Sequence, residues 1–111
     1  MCKTTTLSAG KCTTITKCPC CDVIYIWHNN LLLSFSMSNF VTFRNVIEKT
    51  SFTENCLPFP DKRNRIILRT PNDDISFAFT HRELEAFKAR LSEALLMKEA
   101  YSLVAPSANG S

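Results

Sequence analysis

The sequence predicts an α+β fold: an antiparallel sheet of about five strands in βββα-ββα order, with two helices packed on one face. Two patterns and one bound carry that expectation. Short β-branched or alternating runs separated by turn residues occupy 12–35 and 64–79. Each group is followed by apolar residues at helical spacing behind a hydroxyl residue that can cap a helix. A length of 111 residues, 45% hydrophobic and 21% charged, suits one packed core and not a disordered tail. Residues 1–104 are therefore read as a single α+β domain opening with a Cys-rich hairpin, and 105–111 as a small polar tail.

The first strand is expected over 12–18, where Thr13, Thr14, Ile15 and Thr16 form a β-branched run. From Asp22 to His28 the chain alternates, with Val23, Tyr25 and Trp27 on one face and Ile24, Ile26 and His28 on the other. Asn29-Asn30 supplies a tight turn, because asparagine tolerates positive φ. Leu31, Leu33 and Phe35 then make the inward set of a third strand, completing a meander.

Ser36 or Ser38 can cap a helix carrying Met37, Phe40, Val41 and Ile47 and ending near Lys49, whose cation suits the last turn. Residues 50–63 hold Asn55, Pro58, Pro60 and Asp61 and read as an irregular connection. A second hairpin follows over Asn64–Thr70 and Asp74–Phe79 across Pro71-Asn72-Asp73. Thr80-His81-Arg82-Glu83 has the form of a capping box. It opens a helix bearing Leu84, Phe87, Leu91, Ala94 and Leu95 and reaching Tyr101.

Chemistry concentrates in the thiols. Cys12, Cys18, Cys20 and Cys21 fall within ten residues, and Cys18-Pro19-Cys20-Cys21 contains a CxxC pair. Two intervening residues let a chain double back so that both sulfurs reach one soft cation, and Pro19 presets the turn. Cys2, Cys18 and Cys21 are the expected zinc ligands, with Cys12, Cys20 and His28 as candidates for the fourth. Cys12 and His28 each stand about 20 Å from the CxxC if the strands between are extended. Cys12 and Cys56 also read simply as core or loop thiols. A dithiol redox use of the CxxC is the competing chemistry. It is weakened by a hairpin position that lacks the thiolate-stabilising N-terminus of a helix.

Several function classes fall away. Two glycines exclude a glycine-rich phosphate loop, and no serine, histidine and acid arrangement announces a nucleophile, so the chain reads as non-enzymatic. His81 reads as an exposed first-turn residue and Asp73-Asp74 as a hairpin turn. A net charge of +3 falls short of a dedicated nucleic-acid binder. Lys62, Arg63, Arg65 and Arg69, with Tyr25, Trp27 and Phe35 elsewhere in the sheet, keep a weak base-stacking alternative. Solvated charges on an edge strand explain the same residues more simply. No apolar stretch approaches the ~18 residues of a membrane span, and a cytoplasmic protein is expected. In a reducing compartment, six cysteines point to metal or redox chemistry before three disulfides. The expected partner is an unidentified macromolecule, with self-association through the doubly apolar second strand or the last helix as a further mode.

The leader Cys2-Lys3-Thr4-Thr5-Thr6-Leu7-Ser8, Gly10-Lys11 and Cys18-Pro19-Cys20-Cys21 resemble the start of a group of small uncharacterised Bacteroidota proteins. Ile75-Ser76-Phe77-Ala78-Phe79-Thr80, Glu83-Leu84 and Leu95 to Tyr101 are similar to that group's last strand and helix. The resemblance implies that the leader cysteine works with the CxxC. The group often carries a histidine just after that cysteine, where this chain has threonines, and so the fourth ligand stays open. No activity comes with the resemblance.

Overall fold

The computed structural model describes residues 4–104, so Cys2 and the tail 105–111 lie outside the described residues. Strands β1 (Thr5–Ala9), β2 (Thr13–Lys17), β3 (Val23–His28) and β4 (Leu31–Ser36) form an antiparallel meander in chain order. Helix α1 (Met37–Lys49) follows, then a single-turn α2 (Phe52–Asn55) and a short β5 (Leu57–Pro58). β5 pairs with β6 (Asn64–Arg69) and β6 with β7 (Ser76–Phe79), and α3 (His81–Val104) is the last element of the described residues.

The α+β class and antiparallel pairing agree with the expectation, but the count and arrangement do not. Among the described residues there are four strands in one sheet and three in another, with three helices, in place of about five strands and two helices. Thr5–Ala9 form strand β1, and 50–63 is not irregular throughout but contains α2 and β5. β1 lacks an alternating pattern because its register shifts between Thr6 and Ser8, so Leu7 and Ser8 are both buried. The Ser8 hydroxyl donates to Glu93 Oε1 at 2.6 Å, fastening that bulge to α3.

The meander buries Ile15, Ile24, Ile26, Leu33 and Phe35, while β6 and β7 contribute Ile66, Leu68, Phe77 and Phe79 to the same core. Helix α3 joins the two sheets. Leu84, Phe87, Leu91 and Ala94, spaced three and four apart, present one fully buried stripe. Ser36 caps α1 by accepting from the Asn39 amide, and Lys88 Nζ donates to the Thr50 carbonyl at the other end of that helix. Asn29, at φ 56, makes the two-residue turn between β3 and β4.

The capping box at α3 is formed. The Thr80 amide donates to Glu83 Oε1 at 2.9 Å, and the Glu83 amide to Thr80 Oγ1 at 3.4 Å. Thr80→Ala is expected to cost about 1 kcal/mol, measured as a lower urea midpoint with an unchanged slope. Thr80→Ser should retain most of that stability. Among the described residues no helix is long and apolar enough to cross a membrane.

Candidate metal centre

The turn between β2 and β3 gathers sulfur because the strands on either side leave it no other course. Lys17 pairs with Ile24, and the Cys18 amide donates to the Val23 carbonyl at 3.0 Å, so residues 18–23 close a compact loop. Within it the Cys18 and Cys21 sulfurs lie 2.8 Å apart, and those of Cys18 and Cys20 3.8 Å apart. All three fall within 4.8 Å of one another. Cys18 is buried at 2% exposure, whereas Cys20 and Cys21 are open to solvent. Cys20 is disulfide-bonded, so a metal takes its sulfur only after reduction.

The protons of the pair are unequally held. The hydrogen bond from Cys21 keeps the Cys18 thiol below its ordinary range, aided by the amides of Cys20 and Cys21 and the Lys17 cation, against the opposing effect of burial. Cys21 is pushed up by the same hydrogen bond, by desolvation and by the charge on Cys18. The two thiols thus differ in how readily they ionise, and a cation binding between them displaces the protons they hold. A tetrahedral zinc with sulfurs at about 2.3 Å sets neighbouring sulfurs about 3.8 Å apart. The Cys18–Cys20 separation of 3.8 Å meets that requirement, and the 2.8 Å pair has to open by about 1 Å.

Of the other expected ligands, Cys12 and His28 stand at the opposite end of β2 and β3, where Thr13 pairs with His28. Four residues of strand, roughly 13 Å, separate that pair from Lys17 and Ile24. Cys12 is exposed there, and its carbonyl accepts from the Asn29 amide at 2.8 Å. His28 Nδ1 is bonded to Thr13 Oγ1 at 2.8 Å, and the ring meets Phe77, Phe79 and Phe87 edge-on at 5.3, 5.2 and 5.7 Å. Cys56 is half-buried after α2, and His81 is exposed and stacked on Phe52 at 5.1 Å.

Burial against the three phenylalanines lowers the His28 pKa from its ordinary value, outweighing the attraction of the Glu83 carboxylate. The folded chain therefore resists a proton that the unfolded chain accepts, so stability is full above about pH 6.5 and falls as pH drops toward the folded value. Urea unfolding at pH 7.5 and 5.5 should show a lower midpoint at the acid end, and a smaller difference in His28→Gln.

The basic residues of β6 and the aromatics of β3 belong to different sheets. Arg65 is engaged by Asp61 at 2.9 Å and lies over Phe59, and that hydrogen bond holds Asp61 below the usual carboxylate range. Phe35 is buried on the inner side of the meander, while Trp27 is nearly half exposed on the outer side.

Sequence comparison places residues 1–105 within a family of unknown function, DUF6686. No curated protein and no solved structure matches the chain.

Proposed function

Because the chain belongs to DUF6686, a family without an assigned activity, its chemistry has to come from its own residues, and we propose that it is a zinc-binding interaction module. Cys18, Cys20 and Cys21 supply three thiolates and Cys2 of the leader the fourth. The observation that carries this reading is the convergence of three sulfurs within 4.8 Å on one tight turn. Four thiolates close the coordination sphere and leave no open position for substrate, so the metal is structural. It cross-links the leader to the β2–β3 turn, next to the last turns of α3. A groove lined by Lys17, Pro19, Met37 and Tyr101 runs between that turn and the helix, and Leu96 and Leu103 are exposed along the same helix end. These apolar groups beside a rigid metal knuckle favour a macromolecular partner over catalysis.

Elemental analysis of untagged protein, purified under reductant and without chelator, should give about one zinc per chain. Protein that is metal-free after such purification and does not take up added zinc would overturn the reading.

The disulfide at Cys20 favours a second reading, dithiol exchange within the same turn. There the Cys18 thiolate attacks the Cys20 sulfur, 3.8 Å away. A Cys18–Cys20 bond forms as the existing disulfide breaks, and its departing sulfur leaves as a thiolate. Mass mapping of disulfides after mild oxidation distinguishes the two, since zinc-loaded protein should resist bridging at Cys18.

A further inference from the structure

At the end of the meander remote from the cysteine turn, a cavity of about 400 Å³ opens between the β1–β2 turn, the β3–β4 turn and the first turns of α3. The sequence makes that space. Gly10 has no side chain, and Ala86 and Ala89 put only methyl groups on the helix side. The buried Phe87 ring closes the floor, and His28 is fixed beside it by Thr13 and the three phenylalanine rings. A volume of this size lies within the range of small-molecule sites, and an apolar wall with a few placed polar groups is their usual construction.

The charges around the opening are unequal in their availability. Glu83 is occupied with the Thr80 amide, and Arg90 with the Ala9 carbonyl and Glu93, each at 3.0 Å. Lys11 and Arg82 also line the cavity and have no ion pair among the described residues. The lining is thus net positive, with Lys11 and Arg82 set against the single carboxylate of Glu83. The N-terminal end of the 24-residue helix α3 adds its partial positive charge on the same side.

We propose that this cavity binds a small amphipathic acid, its apolar body against Ala86 and Ala89 above the buried Phe87 ring and its carboxylate between Lys11 and Arg82. The site lies at the other end of β2 and β3 from the thiolates, so it stands or falls independently of the metal. Cys12, exposed at the same opening, places a natural reporter in the cavity.

Octanoate and 1-octanol share a body and differ in charge, and amide NMR shifts of the full chain report where each one binds. Octanoate should produce saturable shifts at Lys11, Cys12, Asn29, Arg82 and Ala86, and should slow iodoacetamide labelling of Cys12. Octanol should bind about ten-fold more weakly, as expected for loss of two exposed ion pairs. Arg82→Gln removes one of them and should weaken octanoate about three-fold, leaving octanol unchanged. Ala86→Leu, at an exposed position that does not threaten the core, should fill the space and weaken both probes. Equal binding of the two probes, shifts confined to another surface, or no saturable shift by about 10 mM would each overturn the proposal.

Discussion

Cys18→Ser should abolish zinc retention and remove the stability that zinc confers, while changing the metal-free protein little. A bound ligand stabilises the folded state according to its free concentration over its dissociation constant, about 4 kcal/mol at a thousand-fold excess. Without metal, the substitution swaps a buried sulfur for a hydroxyl, at a cost of about 1–2 kcal/mol. Urea unfolding of both proteins, with zinc and with chelator, separates these contributions. The native chain should lose stability on chelation and the variant should not. A variant that still responds to chelator would place the metal elsewhere.

Phe87→Ala should be the most damaging single change to the core, costing about 3–5 kcal/mol. Phe87 is 1% exposed, and its ring meets those of Phe77 and Phe79 at 5.3 and 5.0 Å, Phe43 at 6.3 Å and His28 at 5.7 Å. Truncation takes one ring from each of these contacts and enlarges a cavity that already adjoins the site. Domains of this size are stable by about 5–15 kcal/mol, so the loss is a large part of the whole. His28 should report it too. With part of its apolar shield gone, its pKa should rise toward the ordinary value, visible in an NMR titration of the ring. Phe87→Leu keeps most of the volume and should retain most of the stability.

The elements legible in the sequence were those whose side chains repeat at one period. Alternation in β3 and β4, the stripe of Leu84, Phe87, Leu91 and Ala94, and the Thr80 capping box all reappear in the fold. β1 was missed because its bulge puts Leu7 and Ser8 inward together, erasing the alternation by which a strand is read. β5 is two residues ending in Pro58 and exists only because β6 offers it an edge. α2 did leave a signal: Ser51 stands three residues before Glu54, and its hydroxyl accepts that amide. The division into two sheets left none, since periodicity tells which face is buried and not which sheet a strand joins.

The site was partly legible for the same reason. The CxxC spacing pointed to the turn in which three sulfurs gather, with Cys20 only among the fourth-ligand candidates. The folded turn brings the Cys20 sulfur to 3.8 Å from that of Cys18. The cavity at the far end had a single trace in the sequence, His28 as the last polar residue of an otherwise apolar face. Its lining comes from two turns and a helix that only the folded chain assembles.

X-ray absorption at the zinc edge on the reduced, metal-loaded protein tests the coordination most directly. Four sulfur neighbours at about 2.3 Å, falling to three in Cys2→Ser, are the expected result. A shell containing imidazole nitrogen, or one that Cys2→Ser leaves unaltered, would contradict a centre built from the leader and the β2–β3 turn.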